Sequence, residues 1–188
     1  ASPAAVAVPE SGPRADLNVV PLDLFASAVF NAEALFALGA ASSHSADVGE
    51  VLRIAQTINA RTGDPAEPGT EAFDAYCDVF SRYGDDLARR AASSGAAHAV
   101  TTRNRLMRAS MYAAQELFFV LGSADGAREE RVFDTAQSRW LRAVALFEPA
   151  VEHSEVDSPF GPIPVHFFPS PSGSGRRPTV IISEGSDG

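Results

Sequence analysis

Apolar residues recur along most of this chain at the 3.6-residue spacing that gives a helix one buried face. From Pro21 the positions Leu22, Phe25, Val29, Phe30, Ala32, Leu35, Phe36 and Leu38 make the first such stripe, with Pro21 suited to a first turn and Gly39 to a stop. The stripe is wide, which predicts cover on more than one side. Asp47 followed by Glu50 has the spacing of an N-cap and capping box ahead of Val51, Leu52, Ile54, Ala55 and Ile58, so a second helix should run to about Arg61. The breaker TGDPAEPG follows, and Thr70 is placed to cap a third helix bearing Phe73, Tyr76, Cys77, Phe80, Leu87 and Ala91. Residues 97–121 predict a long fourth helix, ~37 Å at the usual rise. Its Met107, Met111, Ala114, Phe118 and Leu121 form the expected packing seam. A fifth helix over 127–147 would turn Val132, Phe133, Ala136, Trp140, Ala143, Val144 and Phe147 inward and Arg128, Glu129, Glu130 and Arg139 outward.

Beyond Pro149 the period drops to two. Val151, His153 and Glu155 alternate with Glu152, Ser154 and Val156, the turn DSPFGP follows, and IPVHFF resumes extension, so 150–169 reads as a β-hairpin. After the loop PSPSGSGRR, the run Val180, Ile181 and Ile182 is continuously apolar, as suits a parallel strand buried on both faces. Residues 1–17 hold three prolines among small residues and no period, which predicts a flexible leader.

Composition narrows the function classes. The 188 residues are 45% hydrophobic and carry a net charge of −9, a balance that repels nucleic acid and anionic membrane surfaces unless a local basic patch intervenes. No basic run appears along the chain. All fifteen basic residues are arginine, a bias that carries little functional weight. Cys77 is the sole cysteine, which rules out an intrachain disulfide. It lies among apolar positions and reads as a buried structural thiol. No apolar run approaches the roughly 20 residues of a membrane span. Cytoplasmic is the default location, with a removed signal peptide left open by the absence of an initiator Met.

On the fourth helix Arg108, Tyr112, Glu116 and Phe119 form a second stripe beside the packing seam. Two readings are open: a pocket lining of mixed hydrogen-bonding and aromatic groups, or an i to i+4 ladder at the rim of the core, the commoner arrangement. Ser123 and Ser174 sit in polar loops, and His44, His98, His153 and His166 are scattered. None pairs at nucleophile or metal-ligand spacing, and no cofactor motif is present.

Several segments, in order, carry a family resemblance: DVGEVL at 47–52, RASMYAAQELFF at 108–119, Trp140 and Leu141 before AVALFEPAVE, PIPVHFFPSPSGSGRRPTVII at 162–182, and EGSDG at 184–188. The chain resembles the opening of an α/β-hydrolase of the FrsA-like esterase group, from about residue 20 onward. That resemblance implies an α/β fold, here an N-terminal all-α helical cap over 18–148 followed at 149–188 by the first strands of the central sheet. It also implies a serine-dependent enzyme, without cofactor, cleaving an ester or an activated C–C bond of a β-diketone or polyketide-like carbonyl substrate. Gly185, Ser186 and Asp187 would form the oxyanion loop, where a backbone donor is worth about 3 kcal/mol of barrier. Glu184 stands where relatives often carry a glycine. Arg108, Tyr112, Glu116 and Phe119 would line the substrate pocket. The nucleophile elbow, acid and histidine of such an enzyme are not in this chain. The sequence is therefore expected to be the early part of a longer polypeptide, or to be completed by a companion chain, and a homo-oligomer is compatible. An uncovered strand edge argues the same way. The competing readings are a non-catalytic helical interaction module built from tetratricopeptide-like hairpins, against which no 34-residue repeat is evident, and a cyclase or lyase on the same fold.

Overall fold

The computed structural model describes residues 22–94, 96–171 and 175–183. The expected leader over 1–17 lies outside them. Five α-helices are followed by a hairpin: α1 Ala28–Gly39, α2 Val48–Thr62, α3 Thr70–Ala92, α4 Ala99–Leu117, α5 Glu129–Val144, then β1 Glu152–Val156 and β2 Ile163–Phe167.

Local chemistry sets most of these boundaries. The first helix starts later than its apolar stripe suggests. Asn31 holds the preceding segment out of the helix, its Oδ1 accepting from Leu24 N at 2.7 Å and its Nδ2 donating to Leu22 O at 3.2 Å. Ser27 then caps α1. Asp47 caps α2 as expected, its Oδ1 accepting from Glu50 N at 3.0 Å. The helix ends where Gly63, at φ 72°, turns left-handed and donates to Asn59 O at 2.9 Å. Only glycine takes that conformation without penalty. Gly69, not Thr70, is the N-cap of α3, and its carbonyl accepts from Ala72 N and Phe73 N.

An aromatic cluster joins α1, α3 and the segment after α4. Phe30, Tyr76 and Phe119 meet with ring centroids 4.6–4.8 Å apart, and Phe73 stacks on Phe119 at 5.6 Å. The Tyr76 hydroxyl donates to Gln115 Oε1 at 2.8 Å inside the core, while Gln115 Nε2 is buried without a described acceptor. Each fully buried ring contributes roughly 2–3 kcal/mol of hydrophobic free energy. The outer face of α1 has no such cover: Val29 and Phe36 are exposed, so the expected two-sided burial is not met by the described residues.

The fourth helix lies between α3 and α5 and buries two faces. This corrects the predicted seam. Leu106, Ala109, Ser110, Ala113, Gln115 and Glu116 are buried, whereas Phe118 and Leu121 are exposed. Small residues won because the helices approach closely, and the helix ends at Leu117, short of the expected 121. Gly84 of α3 marks a close approach: a Cβ there would stand 3.1 Å from Ala109 O and 2.8 Å from Arg139 Nη1. Arg139 is itself a correction, being buried rather than outward, while Phe133 is exposed rather than inward. Arg139 donates to Ala109 O at 3.1 Å and pairs with Asp85, so one guanidinium ties α5 to α4 and α3.

The hairpin forms as expected, β1 and β2 antiparallel with Ser154 opposite Val165. The α/β expectation does not hold. The described residues make a helical body with one two-stranded antiparallel sheet and no central sheet. Val180, Ile181 and Ile182, read as a doubly buried third strand, are 80–92% exposed and in no strand. The physical reason is a missing partner: a β-branched run becomes a central strand only when neighbours accept its backbone hydrogen bonds and cover its faces, and no described segment does so.

Gly84→Ala should test the α3–α4 approach. Replacing a mid-helix glycine ordinarily stabilises by up to ~1 kcal/mol, but the added methyl must displace Ala109 or Arg139, at about 1–3 kcal/mol. A net loss of up to about 2 kcal/mol is expected in urea unfolding, and a gain would contradict the packing.

Candidate functional site

Two polar clusters on α4 contain Arg108, Tyr112 and Glu116, and they lie in different surroundings. The first involves Arg108 and Tyr112. Tyr112 is fully buried, and its hydroxyl donates to Glu50 Oε2 at 2.8 Å while accepting from Asp47 N at 3.2 Å. In an ordinary capping box the Glu50 carboxylate would itself take the Asp47 N–H. Here a tyrosine from another helix is inserted into the box and bridges its two members. Arg108 adds charge, with Nη1 3.4 Å from Glu50 Oε1 and 3.8 Å from Asp47 Oδ2. Burial, then the Glu50 charge, pushes the Tyr112 phenol well above its ordinary range, so this hydroxyl stays protonated and is no general base.

Beside Arg108 opens a cavity of 460 Å³ lined by Ala41, His44, Asp47, Asn104, Arg105 and Arg108 among others. Its wall can offer guanidinium and amide donors to an oxygen-rich molecule. Tyr112, Glu116 and Phe119 do not line it.

The second cluster lies around Glu116 between α3, α4 and the start of α5. Only 4% of Glu116 is exposed. Burial lifts its pKa to about 7, against the opposing pull of a Ser81 hydrogen bond and of the Arg128 and Arg139 charges. Arg128 pairs with Asp78 at 3.6 Å, and its Nε and Nη2 are buried without a described acceptor. Cys77 donates to Glu116 O at 3.6 Å and is lifted by burial to about 11, the behaviour of a structural thiol rather than a nucleophile. Phe119 belongs to the aromatic core. The structure thus brings Arg108 and Tyr112 together, and places Glu116 and Phe119 elsewhere.

The expected oxyanion residues Gly185, Ser186 and Asp187 lie outside the described residues, as does Ser174. Ser123 Oγ donates to Val120 O at 2.6 Å and meets no histidine. His153 and His166 face each other across the hairpin with ring centroids 4.7 Å apart, and Trp140 packs edge-on against His166. Burial, then the neighbouring His153, lowers the pKa of His166. Among the described residues no three His, Cys, Asp or Glu side chains gather as a metal site, and no helix is long and apolar enough to cross a membrane. Sequence reasoning missed Asp47 and Glu50 as partners of Tyr112. Their capping spacing was legible, but the contact spans more than 60 positions. Compared with known proteins, the chain matches no family model, no curated protein and no solved structure.

The Glu116 shift gives a signed pH dependence. Its folded pKa lies above the ordinary carboxyl value of 4.5, so between about 4.5 and about 7 the native state holds a proton that the unfolded state releases. This contribution is full below the unfolded value and is lost as pH rises through the folded one. Glu116→Gln should therefore gain stability relative to wild type from about pH 5 to about pH 8, by up to roughly 3 kcal/mol. Paired urea titrations would show it, and a constant difference across that range would contradict the assignment.

Proposed function

We propose that the helical body is an accessory domain of a serine-dependent hydrolase that cleaves an ester or activated C–C bond of a small carbonyl substrate. The nucleophile would be carried by a sheet-bearing unit, in continuing polypeptide or in a companion chain. The observation behind this reading is the arm that follows α5. Phe160, Ile181 and Ile182 are 88–99% exposed, and Ile163 and Phe167 of the hairpin are also uncovered. Apolar groups in this number are seldom left in water by a folded domain. Extended backbone with open hydrogen-bonding groups is satisfied by the edge of another sheet. The order of segments that resembles FrsA-like esterases supports the chemistry. In this arrangement the cavity at Arg108 would face the substrate, with its guanidinium selecting carbonyl or hydroxyl oxygens.

A second reading, a helical interaction module without catalysis, is favoured by one observation. Tyr112 and Glu116, offered as substrate contacts, are buried in the helical core and serve its packing.

A fluorophosphonate probe applied to the natural protein, together with whatever polypeptide continues or accompanies this chain, separates the two. The hydrolase reading expects covalent labelling on a serine outside residues 22–183, and Arg108→Ala should change KM for an ester substrate severalfold while labelling persists. A folded natural assembly that takes no label would sink the enzyme reading.

A further inference from the structure

Between α2 and α3 lies a second cavity, of 590 Å³, sharing no lining residue with the one at Arg108. Arg53, Thr57 and Arg61 follow one another at intervals of four along α2 and so project from one face. From α3 come Val79, Arg82 and Tyr83. The carboxylates at this cavity are already engaged. Asp86 pairs with Arg89 at 3.2 Å and with Arg90 at 2.6 Å, and Asp85 is held by Arg139 from α5. Arg53, Arg61 and Arg82 have no carboxylate or carbonyl partner among the described residues.

Three uncompensated guanidiniums on two packed helices are unusual in a chain whose net charge is −9. Their mutual repulsion is relieved by an anion placed between them. A carboxylate brings one charge and two oxygens. A phosphoryl group brings nearly two charges and three acceptor oxygens, and guanidinium forks match it in a bidentate manner. Val79 and half-buried Tyr83 add an apolar wall for a carbon skeleton. The volume falls in the range of small-molecule sites, roughly 300–1,000 Å³, and the overall negative charge disfavours a nucleic-acid polymer.

We propose that the α2–α3 groove binds a small organic phosphate, with Arg53, Arg61 and Arg82 taking the phosphoryl oxygens. The site stands apart from the arm and from the Arg108 cavity, and holds whether or not the hydrolase reading does.

Calorimetric titration of the whole chain at low ionic strength with phenyl phosphate, and with benzoate as the carboxylate counterpart, tests it. Saturable binding of phenyl phosphate at millimolar concentrations or tighter is expected, at least about tenfold stronger than benzoate. The double substitution Arg53→Gln and Arg82→Gln should weaken it by about tenfold or more. Arg131→Gln, which removes an exposed arginine paired with Asp125 outside the groove, should leave it unchanged. No saturable binding, equal affinity for benzoate, binding unaltered in the double variant, or equal weakening by Arg131→Gln would each overturn the proposal. The substituted arginines are exposed, and unchanged circular dichroism would confirm that the variants fold.

Discussion

The helical body depends on the hydroxyl of Tyr112 lodged in the N-terminal cap of α2. One phenol accepts the Asp47 N–H and donates to the Glu50 carboxylate, so the start of one helix is anchored to the middle of another. The ring below is fully buried and meets Phe80 edge-on at 5.9 Å. Polar anchorage and aromatic packing therefore reinforce each other at the same side chain. Without the hydroxyl, the Asp47 N–H would lose its described acceptor and Glu50 would keep only Arg108, a deficit of about 1–3 kcal/mol that apolar contact alone does not offset.

A similar logic governs the far side of α4. Because this helix is enclosed by α3 and α5, it carries Ser110, Gln115 and Glu116 into the interior, and each meets a specific partner: Ala136 O, the Tyr76 hydroxyl, and the Ser81 hydroxyl with the charges of Arg128 and Arg139. Arg139 completes the join by bonding across to α4 and α3. Buried polar groups of this kind add little net stability, but they penalise any other register strongly. They fix how the three helices meet. The same enclosure explains why a carboxyl here titrates near neutrality rather than in the acid range.

Much of the helical body was legible in the sequence, because amphipathic spacing, the Asp47 cap and the hairpin alternation are local signals. The apolar setting of Cys77 was legible for the same reason. The face of α4 was not, since hydrophobic size pointed to Phe118 and Leu121 while close approach selected Ala109 and Ala113. Arg139 was misplaced because outward orientation is the ordinary fate of an arginine, and only its acceptors on two other helices justify burial. Val180 to Ile182 carried a true β signal that strand propensity alone cannot fulfil. The arginine groove was invisible to a search for basic runs, because α2 and α3 assemble it from residues more than twenty positions apart. Of the expected site, Arg108 borders a cavity, Tyr112 and Glu116 hold the core, and the oxyanion loop lies outside the described residues.

The described residues make a helical domain followed by an extended arm whose Val180, Ile181 and Ile182 are exposed. The hairpin rests on α5 through Trp140 against His166, and Phe168 just beyond β2 packs against Phe147, whereas the Val-Ile-Ile run presents apolar and backbone groups with no cover among the described residues. Hydrogen exchange along 22–183 of this chain tests that division most directly. The account predicts rapid exchange of the Val180, Ile181 and Ile182 amides and strong protection of α2 to α5. Protection of those three amides equal to that of α3 and α4 would contradict it.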